Sequence, residues 1–203
     1  ILANSGYGSR KEVKALIKSG SVSVSGRIMN DPGYQVDVDT DSVSVNGEAL
    51  EYSEFCYLMM NKPAGVLSAT WDRDGQTVID LLPEPYNKMD LFPAGRLDKD
   101  TEGLLLLTND GQLAHKLLSP KKHVPKTYYA RVSGHAGPDD IEVFNRGIQL
   151  DEDFTTLPAR LEVLNSGEES EVLITIYEGK FHQIKRMFEA VNKKVMYLKR
   201  LSM

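Results

Sequence analysis

Gly95-Arg96-Leu97-Asp98-Lys99-Asp100-Thr101-Glu102-Gly103, followed by the four leucines 104–107 and by Asn109-Asp110-Gly111, is the stretch on which the reading of this chain turns. Four leucines bounded by a glycine and a turn read as a buried strand. Arg96 and Asp98 stand two positions apart, so in extended chain they share one side at the mouth of that strand. An arginine beside a carboxylate at a strand mouth is a candidate site. It is equally what a surface turn looks like, with Asp98 capping Thr101 or pairing with Lys99.

The chain around this stretch supplies a core for it. Residues 55–60 form a continuous apolar run and read as a buried strand, ended by the turn Asn61-Lys62-Pro63-Ala64-Gly65. Val78, Leu81 and Leu82 suggest a short helix stopped by Pro83. Leu113, Ala114, Leu117 and Leu118 follow at helical spacing, and 128–132 reads as a strand. Residues 141–145 look helical, 159–164 and 172–177 alternate as strands, 181–190 is an amphipathic helix, and 195–201 is a last strand. Strands with interspersed helices make the class α+β, with a mixed, mainly antiparallel sheet.

Residues 1–48 read as a small module of their own, 49–54 as a linker and 55–203 as the second domain. Ser9 can cap a helix over 10–19 that Gly20 stops. Val13, Leu16 and Ile17 give that helix one apolar stripe, and Arg10, Lys14 and Lys18, with Lys11 beside them, a basic one. Val22 and Val24, then Val43 and Val45, alternate with serines, and Asn46-Gly47 marks a tight turn. The chain opens at Ile1 inside an apparent helix and ends inside an apparent strand, so it reads as trimmed at both ends.

With 203 residues, 41% of them hydrophobic, the chain can bury a real core. No apolar run approaches a membrane span, and no signal-peptide pattern opens it, so no membrane partner is expected. Cys56 is the only cysteine, which excludes an internal disulfide and agrees with a reducing cytoplasm. The net charge, 24 − 29 = −5, argues weakly against nucleic acid, but its distribution argues for it. Cations gather at 1–30, 112–131 and 180–200, and acids at 31–54 and 139–171. Local field rather than net charge meets phosphates.

Two further segments, Lys126-Thr127-Tyr128 and Gly179-Lys180-Phe181-His182-Gln183-Ile184-Lys185-Arg186, complete a pattern with the opening one. Together the three closely resemble the signature of RsuA-type bacterial pseudouridine synthases, over nearly the whole chain. Residues 1–48 resemble the alpha-L RNA-binding domain first described in a small-subunit ribosomal protein. The resemblance implies a pseudouridine synthase catalytic domain that isomerises a uridine of ribosomal RNA. It implies Asp98 as the catalytic carboxylate, Tyr128 against the target base and Lys185 paired with Asp98, keeping it ionised. Arg96 would fill the space of the flipped-out nucleotide, Leu198 would lie under the base, and Arg186 would contact phosphate. The basic stripe of Arg10, Lys11, Lys14 and Lys18 would grip RNA. Breaking and remaking a nucleobase–sugar bond suits an ionised carboxylate, which can act at the anomeric carbon or on the ring. The isomerisation needs no redox partner, energy source or metal, and no cofactor motif is present. The segments 61–65, 96–111 and 119–128 look most like the 16S rRNA enzyme, acting on RNA or on a partly assembled small-subunit particle, as a monomer. Relatives that modify 23S rRNA share much of the pattern.

Two rival readings come from other classes. Asp100, Glu102 and Asp110 invite a Mg²⁺ reading, and a metal-dependent phosphodiesterase would use Asp98, Asp100 and Asp110, but no histidine or second acidic motif completes that site. A non-catalytic ribosome-assembly protein would need none of Asp98, Tyr128 and Lys185.

Overall fold

Ser9 starts the first helix through a capping box: its hydroxyl accepts from the Glu12 N–H at 3.4 Å, and its own N–H donates to the Glu12 carboxylate at 2.7 Å. The helix, α1 (Arg10–Lys18), buries Ile17 and leaves Arg10, Lys11, Lys14 and Lys18 exposed. Gly20, at φ +79°, takes the left-handed conformation that ends it. Strands β1 (Val22–Val24), β2 (Arg27–Ile28), β3 (Val43–Val45) and β4 (Glu48–Ala49) pair antiparallel in the order β2-β1-β3-β4. Period-two alternation puts Val22, Val24, Val43 and Val45 on one face, where they close a core with Leu2 and Ile17. The computed structural model describes the backbone of residues 1–203 and every side chain except that of Pro120. The chain divides into two compact units, Ile1–Cys56 with Ile79–Phe92, and Tyr57–Val78 with Pro93–Met203.

The second unit holds β5 (Tyr57–Lys62), β6 (ending at Pro93, from Phe92), β7 (Glu102–Thr108), α2 (Gly111–Leu118), β8 (Lys126–Ser133) and α3 (Pro138–Arg146). A short hairpin of β9 (Gln149–Asp151) and β10 (Phe154–Thr155) follows, then β11 (Arg160–Asn165), β12 (Glu169–Ile176), α4 (Gln183–Ala190) and β13 (Val195–Ser202). The main sheet runs β11-β12-β8-β13-β7-β5. It is mixed: β13 and β7 pair parallel, and the other neighbours along this path pair antiparallel. Its inner face meets α3 and α4, whose Phe144 and Phe188 rings lie 4.8 Å apart. Those rings pack with Met187, Ile184, Val132, Val172 and Ile174, all buried. Each such side chain contributes about 1.5–3 kcal/mol relative to exposure.

Several elements differ from the sequence reading. Residues 2–6 are turns rather than helix. The strand expected at 55–60 runs from Tyr57 to Lys62 and is not buried throughout: it ends the sheet, with Met59 82% exposed and Lys62 buried. No helix forms over 78–82, because the backbone there is used across the chain. Leu67 N–H donates to Gln76 C=O and Val78 N–H to Leu67 C=O, both at 2.9 Å. Helix α4 starts at Gln183, so Phe181 and His182 form the turn before it, with His182 left-handed at φ 48°. Among the described residues no helix is long and apolar enough to cross a membrane.

Candidate active site

Asp98 stands in the loop that leads into β7, and the loop is held by a buried cation. Lys62, at the end of β5, is fully buried. Its ammonium donates to the carbonyls of Pro63 (3.0 Å), Asp98 (3.2 Å), Lys99 (3.3 Å) and Thr101 (2.9 Å). Burial pushes its pKa down, against the opposing attraction of Asp100, Asp98 and Glu102. Ser68 adds a reciprocal pair: its hydroxyl accepts from Leu97 N–H at 3.0 Å and donates to Leu97 C=O at 2.9 Å. Leu97 itself is buried in the core. The backbone on both sides of Asp98 is thus fixed, and the carboxylate is left half-buried.

Lys185 reaches the loop from the first turns of α4. Ile184, Met187 and Phe188 face the core, so Lys185 points along another side of the helix. Its ammonium lies 3.1 Å from Asp98 Oδ2 and 2.7 Å from Asp100 Oδ1. Burial pulls the Lys185 pKa down, but hydrogen bonds to Asp100 and Asp98 outweigh it, and the net direction is up. Asp100 is correspondingly lowered, first by its hydrogen bond from Lys185. His182 Nε2 is 3.7 Å from Asp98 Oδ1, and its ring stacks on Phe181 with centroids 3.8 Å apart.

Tyr128, on the inner face of β8, is 7% exposed, and Leu198 of β13 is 6% exposed. Burial pushes the Tyr128 phenol up, and Arg200 draws it down. Asp98, Tyr128, Lys185, Leu198 and Arg96 line one hollow, with Thr101 and His182. It opens into a cleft of about 700 Å³ that shares Arg96, Asp98, Tyr128 and His182, and continues past Lys126, Phe181 and Arg200. A held carboxylate, a phenol and an apolar floor at one cleft suit a planar polar ring bearing a sugar.

The sequence-expected residues separate into groups. Asp98, Tyr128, Lys185, Leu198 and Arg96 come together. Arg10, Lys11, Lys14 and Lys18 lie exposed on α1 of the other unit. Arg186 turns to Asp151, at 2.6 Å, and to the Leu150 carbonyl, at 3.3 Å, so in this structure it is tied to the β9 hairpin rather than open to phosphate. Lys126 and Arg200, counted toward a basic surface, are 7% and 2% exposed. Sequence reasoning missed Lys62, the second carboxylate Asp100 on Lys185, and the burial of Arg200. The Asp-x-Asp spacing of 98 and 100 was a usable signal for the second of these.

The pattern of the RNA pseudouridylate synthase family matches residues 56–190, and that of the S4 domain matches residues 1–43. An uncharacterized RNA pseudouridine synthase of Bacillus subtilis is 55% identical over 100% of this chain and 85% of its own. The ribosomal small subunit pseudouridine synthase A of Vibrio cholerae is 45% identical over 94% of this chain and 81% of its own. The ribosomal large subunit pseudouridine synthase B of Bacillus subtilis is 39% identical over 98% and 82%. A crystal structure of a pseudouridylate synthase superposes with a TM-score of 0.67 at 35% identity, covering 98% of this chain and 84% of that one.

Proposed function

The chain belongs to the RNA pseudouridylate synthase family, in its RsuA-type branch, and from that premise we propose that it isomerises one uridine of 16S ribosomal RNA. The observation that carries the reading is Asp98, its backbone clamped by Lys62 and its carboxylate 3.1 Å from the Lys185 ammonium, in one cleft with Tyr128 and Leu198. The target uridine leaves its helix at a cost of a few kcal/mol. Arg96 occupies the opened space, and the uracil packs between Tyr128 and Leu198. Lys185 pairs with the Asp98 carboxylate at 3.1 Å and orients it, and Asp98 promotes cleavage of the N1–C1′ bond. The uracil turns, C5 bonds to C1′, the C5 hydrogen leaves as a proton, and N1 takes one up, so the product is an isomer. Residues 1–48 grip RNA through α1 while 55–203 performs the chemistry, as a cytoplasmic monomer. The choice of 16S rests on the likeness of segments 61–65, 96–111 and 119–128 to the small-subunit enzyme and on the higher identity to a small-subunit relative.

The test is tritium release from C5-tritiated 16S rRNA, free and in protein-bound particles, by this protein and by its Asp98→Asn variant. Release by the parent alone is expected. Release from 23S but not 16S rRNA would overturn the substrate and keep the chemistry. Tight RNA binding with no release from either would replace the enzyme reading with an assembly role.

A further inference from the structure

Arg200 carries a donor that nothing in the free protein uses. Register places it directly opposite Tyr128, β13 against β8, on the inner face of the sheet. The two strands beside it are close because β7 carries Gly103, where a Cβ would collide with the Arg200 backbone. Arg200 Nε donates to the Leu104 carbonyl at 2.7 Å. Its Nη2 has no hydrogen-bond partner and is sealed from solvent, so it cannot meet RNA itself. The Tyr128 phenol lines the same cleft as Arg200, and against the upward push of burial the guanidinium charge draws it down. Lys126 stands two residues before Tyr128 on the same face. It too is buried, held by the Val124 carbonyl at 3.0 Å and repelled by Arg200. Among the described residues neither cation is ion-paired with a carboxylate, which makes the region behind the phenol electropositive. Asp98 faces the phenol from the cleft side with the opposite sign.

A guanidinium donates and never accepts. A hydroxyl bonded to it must accept, and its own O–H is then turned elsewhere. Hydrogen bonds that are loose in a free enzyme tighten when the substrate fills the site. We propose that Arg200, supported by Lys126, is the positioning residue for Tyr128, fixing the phenol as an acceptor toward the protein so that its proton is presented to the nucleotide in the cleft. The proposal rests on the reading that a uridine enters beside Asp98, and deepens it by giving Tyr128 a polar duty besides packing.

The test uses Arg200→Gln and Arg200→Lys, each in the native chain and in the Tyr128→Phe chain. Single-turnover tritium release is measured at saturating rRNA. Arg200→Gln is expected to slow the chemical step roughly tenfold or more, with half-saturating RNA nearly unchanged. Arg200→Lys is expected to recover part of the rate, and neither change to slow the Tyr128→Phe chain further. Losses that multiply with Tyr128→Phe would overturn the proposal, since Arg200 would then act independently of the hydroxyl. A second readout needs no substrate: a fluorinated tyrosine at position 128, titrated by fluorine NMR. Its titration should move up in Arg200→Gln and less so in Arg200→Lys; an unmoved titration would sink the proposal. If Arg200→Gln does not fold, Arg200→Lys alone carries both comparisons. If the parent releases no tritium from either rRNA, the functional reading fails, while the titration still decides whether Arg200 governs the phenol.

Discussion

Helix α1 and the cleft of the second unit use the same side chains for opposite purposes. On α1, Arg10, Lys11, Lys14 and Lys18 are exposed, and among the described residues none has an ion-pair partner. In and around the cleft the cations withdrawn from solvent are engaged: Lys62 by four carbonyls, Lys185 by two carboxylates, Arg186 by Asp151, Lys126 by Val124 and Arg200 by Leu104. A solvated cation supplies field and is screened by salt within about 8–10 Å. A buried one supplies geometry, because leaving its donors or their acceptors unmatched is costly. Burial, not residue type, assigns the job.

The contrast can be broken most severely at the carboxylate that the engaged cations serve. Asp98→Asn should lower single-turnover tritium release by about 10³-fold or more while leaving RNA affinity near that of the parent. An active Asp98→Asn variant would move the chemistry elsewhere. Next is Lys62→Met, which removes the donor shared by the Pro63, Asp98, Lys99 and Thr101 carbonyls and leaves those of Asp98 and Lys99 only their backbone donors, Thr101 and Gly65. Urea unfolding should show a loss of about 3 kcal/mol, together with slowed chemistry; a stability within 0.5 kcal/mol of the parent (roughly the surface range) would mean that the clamp is dispensable. The double change Arg10→Ala, Lys14→Ala should do the reverse. It should weaken RNA binding and flatten the log–log salt dependence by about 1.4 on the single-strand coefficient, without altering the saturated single-turnover rate. A slower chemical step would erase the distinction between the two regions.

The smallest effect sharpens the comparison within the cleft. The Asp100 pKa is lowered in the folded protein, chiefly by its hydrogen bond from Lys185. Its contribution is therefore present above the unfolded carboxylate range and lost as pH falls through the lowered folded value. Its side chain is 71% exposed, so solvent keeps the effect under about 1 kcal/mol. Asp100→Asn should melt slightly below the parent near neutral pH, and the two curves should converge in acid. Curves that stay parallel would remove Asp100 from the linkage.

What could be read in the sequence followed from periodicity, punctuation and motif. The valines of β1 and β3, the Ser9 cap and the stripe of α4 have local causes and form where local rules put them. The motif resemblance brought Asp98, Tyr128, Lys185 and Leu198 into one reading, though 98, 128, 185 and 198 are far apart along the chain; their common cleft is a product of strand order. Lys62, Lys126 and Arg200 were illegible because a basic residue is assigned to the surface unless something distant covers it. For Lys62 that something is the backbone of 98–101, and for Arg200 it is the neighbouring strand admitted by Gly103. The apolar spacing at 78–82 misled for a related reason: backbone pairing with Leu67 outweighed a weak local preference.

The Lys62 clamp has a consequence best put in coordination terms. Four carbonyl oxygens converge on one monovalent centre, as they would on a bound potassium ion, but here the ion is tethered by its own side chain. Such a centre cannot be dialysed away, exchanged for a competitor or diluted out during purification. The shape of the Asp98 loop is therefore inherited with the polypeptide, and is in place before the first RNA arrives.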